Sequence, residues 1–439
     1  MTEVASEHLV NSERIVEPAR SIGGSLRLPG DKSISHRYAL LGGIAHGKTR
    51  LTNFSSGADC ASSLSCVAAM GATVKRAADG AIEITGTEGH FHHTEAPLDC
   101  GNSGSTMRML AGLLAPQRFA YTLIGDASLS RRPMERVRKP LTQMGADIHL
   151  TDGHAPVTIR GGRLHGIDYT TPVPSAQVKS ALLFAGLQAS GTTTVREAVR
   201  TRDHSELALR AFGAKVERTL ESVSIDGGQQ LQGIEAAVPG DMSSAAFFLC
   251  AAALFPGSNL IFDELGLNPT RASLLDVLTA LGAHIGVLNL EEKHGELVGT
   301  VQVNGPHNGM TGTTVSGALA AQLIDELPVL AAIGPYTRQG IRIRDAKELR
   351  VKESDRIALV ATNLRAMGAE VEEFDDGLDV PGGQTLHAAE IDSGGDHRIA
   401  MAFSVAALRA RGQTVIRGAE SAAISFPEFF DLLDRIAER

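Results

Sequence analysis

The 439-residue chain has few of the features that usually declare a mechanism. It has four cysteines, Cys60, Cys66, Cys100 and Cys250, with no CxxC pair and no zinc-type spacing. That usage suits a reducing compartment and small buried thiols. No hydrophobic run is long enough to cross a bilayer. The first twenty residues, MTEVASEHLVNSERIVEPAR, lack the apolar centre of an export signal, so a cytoplasmic protein without a membrane partner is expected. Positive charge is not in excess: 41 Lys and Arg against 50 Asp and Glu give a net charge of −9. This argues against nucleic acid or an anionic membrane surface as the bulk partner. Neither a GxSxG elbow nor a GxGxxG fingerprint occurs, so triad hydrolysis and dinucleotide chemistry lack their signals.

What the chain does have is length and repetition. With 439 residues and 43% hydrophobic content, it can fill two or more cores at roughly 150 residues per domain. A short pattern recurs as MGATV at 70, MGADI at 144, FGAKV at 212, LGAHI at 281 and MGAEV at 367. Each follows an amphipathic stretch and predicts a helix, a glycine just past its end, and a strand. Repeated joints of this kind predict a repeated α/β unit. LPGDKSIS at 28–35 echoes VPGDMSSA at 238–245, so the chain reads as two homologous halves. The PGD tripeptides mark the expected crossovers. One α/β domain is expected over 30–239, a second over 1–29 plus 240–439, and a hinge near 29–32 and 239–241. Lys32 and Asp241 then flank the hinge, and the cleft between the domains is the expected ligand site.

Charge falls in this pattern where apolar residues belong. ELRVKESDR at 348–356 opens a helix whose inward stripe is Ile357, Val360, Leu364 and Met367. Running that stripe backwards at about 100° per residue puts Glu353 at its centre, Arg356 beside it and Lys352 further round. Buried charge must pair or face a polar ligand, whereas Asp355 falls on the opposite, solvated face. LIDELPVLAAI embeds Asp325 and Glu326 in apolar sequence, a setting that raises a carboxylate pKa and makes one of them a candidate general base.

Three glycine-led turns run into helices: GDKSISHR at 30–37, GNSGSTMR at 101–108 and GGDHRIAMAF at 394–403. Free N–H groups and the helix dipole favour an anion at such turns. They carry Lys32, Ser33 and Arg37, then Gly104 and Arg108, then His397 and Arg398. Taken singly, GDKSISHR is equally an ordinary capped helix, and a lone glycine-rich turn such as GNSGSTMR is more often structural. The GNSGSTMR turn lacks the GKS or GKT ending of a Walker loop. In SRRPM the proline favours extended backbone at Arg132. SAQVKSALL places Ser175, Gln177 and Lys179 at the start of an apolar helix, as caps or ligands. TRDHSE at 201–206 predicts a capping box between Asp203 and Glu206, with a structural His204. The histidines of GHFHH have no carboxylate-rich companion nearby in sequence, so no metal is assigned.

In order along the chain, LPGDKSISHR, GNSGSTMR, GDASLSRRPM, SAQVKSALL, TRDHSE, IDELP, LRVKESDR, DHRIAMA and SFPEFF resemble the 5-enolpyruvylshikimate-3-phosphate synthase family, from about residue 20 to the C-terminus. The resemblance implies a two-domain inside-out α/β barrel of six βαβαββ units, three per domain, with the sixth ending in a helix around Phe429 to Ile436. It implies transfer of the enolpyruvyl group of phosphoenolpyruvate to the 5-hydroxyl of shikimate 3-phosphate, by addition and elimination, with release of phosphate. Neither a metal nor an organic cofactor is implied. Matched motif by motif, Lys32, Ser33, Arg37, Ser175, Gln177, Arg202, Asp325 and Lys352 correspond to shikimate 3-phosphate contacts. Lys32, Gly104, Arg132, Gln177, Arg356 and Arg398 correspond to phosphoenolpyruvate contacts. Asp325, Glu353, Lys32 and Lys352 correspond to the catalytic group. A monomer and inhibition by glyphosate are further expectations of the resemblance.

The chain departs from parts of the family in ways that bear on the pocket. Ile424 stands where some members carry lysine, Glu348 where some carry asparagine, and Ala176 and His204 where some carry serine and tyrosine. Met109 replaces a proline after Arg108. The sister family of UDP-N-acetylglucosamine enolpyruvyl transferases relies on a loop cysteine and a Lys-Asn pair, whereas Lys32 here is followed by Ser33. A binding protein that had lost its chemistry would show changes at Asp325, Glu353 or Lys32, and none is seen.

Overall fold

The computed structural model describes residues 12–439; the part of the leading segment before Ser12 lies outside the described residues. Each MGA-type joint turns at a glycine of positive φ: Gly71 (105°), Gly145 (105°), Gly213 (92°), Gly282 (104°) and Gly368 (87°). A side chain at these positions would be strained. At the first joint Gly71 N–H donates to Ala68 O and Ala72 N–H to Val67 O, both at 3.1 Å, closing the helix end. The chain then runs straight into a strand, as at Thr73–Arg76.

Among the described residues the strands form six small sheets. In the first half, Lys48–Thr52 pairs in parallel with Glu235–Ala237 and antiparallel with Ile82–Thr85, which pairs antiparallel with Thr73–Arg76. The sheets around Ala120–Ile124 and Thr192–Arg196 repeat this order. In the second half, Asn259–Gly266 lies parallel to Ser21–Arg27 and antiparallel to Glu296–Asn304. The terminal helix Phe429–Ile436 leads to Ala437–Glu438, which pairs with Ser21–Arg27.

Inside the sheets lie helices that are apolar on nearly every face. Met242–Leu254 and His397–Ala407 are buried along their whole length, and Lys32–Ile44 is buried from Ile34 onward. A helix without a polar face must be covered all round. Among the described residues the buried apolar side chains form two clusters. One runs from Ile34 to Val238, and the other joins Val16–Leu28 to Met242–Ile436. The chain passes between them at two adjacent places, where Gly30 bridges Gly240 and Lys32 N–H donates to Asp241 Oδ2 at 3.4 Å.

Within the first cluster, Gly104–Leu114 and Ala176–Gly186 touch backbone to backbone. A Cβ on Gly112 would sit 2.1 Å from the Ala181 carbonyl oxygen. Gly112→Ala is therefore expected to force the two helices apart and cost about 3 kcal/mol. Urea unfolding followed by far-UV circular dichroism measures this, and an unchanged midpoint would show that the contact yields without cost.

Candidate active site

The buried helices start on side-chain caps, and the caps determine what projects beyond them. Asp31 accepts Ile34 N–H, Ser103 accepts Thr106 N–H, Ser175 accepts Val178 N–H, Asp241 accepts Ser243 N–H and Asp396 accepts Arg398 N–H. Capping satisfies one orphan donor at each start, with Lys32, Ser33, Gly104, Gln177 and Arg398 within the first turns that follow. Lys32 Nζ pairs with Asp59 at 2.9 Å. Burial opposes its charge, but Asp59, with help from Glu353, prevails and raises the ammonium pKa. Arg37 donates to Ser33 O, Ser180 Oγ and Ser205 Oγ at 2.7–2.9 Å, and burial brings it down to about 10. Gln177 accepts from Arg108 at 2.7 Å and donates to Ser105 at 2.9 Å. A Cβ on Gly104 would lie 2.8 Å from Arg108 Nη1 and 3.4 Å from Arg132 Nη1, so glycine there leaves both guanidinium groups open.

Two carboxylates sit in the middle of these cations. Asp325 meets Arg202 at 2.6 Å, Arg356 at 3.6 Å and Lys352 at 3.7 Å, and its backbone carbonyl accepts from Arg398 at 2.7 Å. Glu353 meets Arg356 at 2.6 Å and Arg132 at 3.4 Å. Arg356, 1% exposed, also pairs with Asp396 at 2.8 Å. Burial pushes both carboxyl groups up. For Asp325, Lys352 and Arg202 more than reverse the effect; for Glu353, Arg356 and Arg132 do so, and both groups end well below the usual range. His397 lies beside them with no partner on either ring nitrogen, and burial with Lys32 brings it down to about 3. A cavity of about 540 Å³ opens at this edge between Ser128–Pro133 of one domain and Arg350–Asp355 of the other.

Several expectations need correction. The apolar sequence around Asp325 does not raise its pKa, because four cations from other segments surround it. Glu353 is not on a helical stripe: the helix begins at Arg356, and Glu353 lies in the turn before it. Asp355 is not a free surface charge but the cap of that helix, accepting Ala358 N–H at 3.0 Å and pairing with Arg350 at 2.9 Å. Asp203 and Glu206 form no capping box; Asp203 makes no cap bond, and Glu206 pairs with Lys179. Lys179 is neither a cap nor exposed to the cleft, since Glu197 and Glu206 hold it at 2.8 and 2.9 Å in the core.

Asp59, Asn102 and Asp396 were not singled out in the sequence. Asp59 and Asn102 reach the site from segments distant from the residues they touch, Lys32 and Arg132. Asp396 carried the one available signal, a capping residue before His397. The letters GGIAHGKT at 42–49 fit a P-loop, but they link the end of helix Lys32–Ile44 to strand Lys48–Thr52. A P-loop needs the reverse, a helix N-terminus after the loop.

Facing α/β domains that gather carboxylates among lysines and arginines in their cleft fit the class of proteins that handle polyanionic small molecules. Comparison with known proteins narrows this class. The EPSP synthase (3-phosphoshikimate 1-carboxyvinyltransferase) family profile matches residues 16–433. The chain is 64% identical over 424 residues to the 3-phosphoshikimate 1-carboxyvinyltransferase of Koribacter versatilis, covering 97% of this chain and 99% of that one. It is 52% identical over 437 residues to that of Solibacter usitatus, covering 97% and 100%. A solved structure of EPSP synthase from Acinetobacter baumannii superposes with a TM-score of 0.86 at 39% identity, covering 98% of each chain. The chain belongs to the EPSP synthase family. It is a transferase that moves the enolpyruvyl group of phosphoenolpyruvate to the 5-hydroxyl of shikimate 3-phosphate.

The ion pairs imply a pH dependence of stability. In the unfolded chain Asp325 and Glu353 titrate near 4, and in the folded protein their pKa values are lower. Between these values the unfolded state binds more protons. The stabilisation is therefore complete above about pH 5 and lost as pH falls through the folded pKa values. Thermal melting of the substrate-free protein is expected to drop below about pH 5, with a shallower drop in Glu353→Gln. Identical acid limbs in both proteins would contradict an ionised Glu353.

Proposed function

We propose that Asp325 and Glu353 divide the proton work of the transfer, Asp325 at the attacking 5-hydroxyl and Glu353 at the methylene carbon of phosphoenolpyruvate. The observation that carries this reading is the pair of ionised carboxylates held by one set of cations drawn from both domains. Lys32, Ser33, Arg37, Ser175, Gln177, Arg202, Asp325 and Lys352 bind shikimate 3-phosphate. Lys32, Gly104, Arg132, Gln177, Arg356 and Arg398 bind phosphoenolpyruvate.

In addition, the 5-hydroxyl oxygen attacks C2 of phosphoenolpyruvate, its proton passing to Asp325, while C3 takes a proton and becomes a methyl group. In elimination, C3 returns a proton, the double bond reforms and phosphate leaves. An ionised Asp325 is ready to orient and accept from the hydroxyl. Glu353 begins without a proton, and substrate binding changes that. A phosphate drawn to Arg132 and Arg356 takes from Glu353 the two cations that most depress its pKa, and the added negative charge raises it further. Lys32 and Lys352 support charge on the departing phosphate.

Gly104 leaves room between Arg108 and Arg132, which supports binding of glyphosate as an inhibitor. Ile424 supplies no cation where some relatives have one, and the Ile424–Ser425 backbone instead abuts Gly57 of the other domain. Among the described residues no helix is long and apolar enough to cross a membrane. The net charge of −9 supports small-molecule rather than nucleic-acid partners, and a cytoplasmic monomer completes the reading.

Phosphate release from phosphoenolpyruvate, with shikimate 3-phosphate or UDP-N-acetylglucosamine as acceptor, tests the reading. Turnover is expected with the shikimate ester alone. Glu353→Gln and Asp325→Ala are each expected to lose on the order of 10²- to 10⁴-fold in kcat. Near-normal kcat in either variant would remove that residue from its proton role.

A further inference from the structure

A second polar assembly spans the two domains away from the carboxylate pair, and nothing in the transfer chemistry requires it. Its first-domain side is the segment Arg200–Ser205, and its second-domain side is Asn268, Thr270 and Glu296. Asp203, His204, Asn268 and Glu296 are each 5% exposed or less. Asn268 is the central link: its carbonyl oxygen accepts Thr270 N–H at 2.9 Å and Thr270 Oγ1 at 2.7 Å. This fixes the amide so that Nδ2 donates to Asp203 Oδ1 at 2.8 Å and to Glu296 Oε2 at 2.9 Å. The other Glu296 oxygen accepts from His204 Nδ1 at 2.7 Å, and the other Asp203 oxygen meets Arg218 at 2.6 Å and Arg200 at 3.1 Å.

Two buried carboxylates from opposite domains are thus bridged by one amide. Left unbridged they would repel and lose hydrogen bonds in a poorly solvated place. The assembly forms only when the domains meet in one arrangement. It also clamps the backbone one residue after Arg202, whose guanidinium crosses the cleft to Asp325 at 2.6 Å. An arginine side chain has many rotamers, so fixing its base narrows where the charge can go. Arg37 is different, because its partners Ser33, Ser180 and Ser205 all belong to the first domain.

We propose that Asp203, His204, Asn268 and Glu296 form an interdomain brace that positions Arg202 and thereby sets the affinity for shikimate 3-phosphate, without touching the reacting atoms. The inference rests on the assignment of Arg202 to the shikimate 3-phosphate site. Calorimetric titration of shikimate 3-phosphate into wild type, Asn268→Ala, Arg202→Ala and the double variant tests it, with melting temperatures as the check on folding. Asn268→Ala is expected to weaken binding about ten-fold when Arg202 is present and less than about two-fold when it is absent. A merely structural role would give equal losses in both backgrounds, and that result, or no loss in either, overturns the brace. If Asn268→Ala does not fold, Asn268→Ser, which keeps a shorter donor, takes its place in the same comparison. An Arg202→Ala protein that binds shikimate 3-phosphate like wild type overturns the site assignment, and the brace with it.

Discussion

A guanidinium cannot be left alone in a protein interior, and Arg356 is almost completely buried. It meets Asp325, Glu353 and Asp396, three carboxylates from three segments of the second domain. Their attraction offsets its desolvation, and its own charge in turn keeps the carboxyls ionised. Glu353 reaches on to Arg132 and Asp325 to Arg202, both in the first domain. The charge balance of one residue therefore extends over both walls of the cleft.

This arrangement reconciles an acidic protein with polyanionic substrates. The net charge is −9, yet lysine and arginine converge at helix starts between the domains. Without substrate, the protein's own carboxylates partner these cations. Under the proposed site assignment, a substrate phosphate competes for the same partners, which links its binding to the protonation of Glu353 through shared arginines. Under that assignment the change of state is an exchange of counter-charges at Arg132, Arg202 and Arg356.

The chain path makes that exchange possible. Because the chain passes between the two buried clusters near Gly30 and again near Gly240, one antiparallel bridge joins the crossings, and Lys32 N–H meets Asp241 beside it. Other contacts between the domains include partly exposed polar pairs such as Arg136 with Glu348 at 2.9 Å and Ser56 with Glu428 at 2.9 Å. Polar contacts of this kind can open and be replaced by water at modest cost. Apolar packing stays within each cluster, which keeps each wall rigid.

The repeated unit was legible in the sequence because it is a local property: a glycine that must adopt positive φ after an amphipathic helix leaves the same letters at Gly71, Gly145, Gly213, Gly282 and Gly368. The glycine-led turns carrying Lys32, Gly104 and Arg398 were legible for the same reason, since a capped helix start is written in adjacent residues. Local reading failed where charge balance is set by residues remote in sequence. Asp325 looked like a carboxyl raised by apolar neighbours, and the cations that hold it down come from Arg202, Lys352, Arg356 and Arg398. Lys179 looked like a candidate ligand, and Glu197 and Glu206 bury it instead. Asp59 left no trace at all, because its meaning comes from Lys32, which only the packing of two helices brings within 2.9 Å. The units, their joints and the cations at the helix starts follow from adjacent residues alone. Which carboxylate faces which cation was decided only by the tertiary structure, because Coulomb energy depends on distance in space and not on separation along the chain.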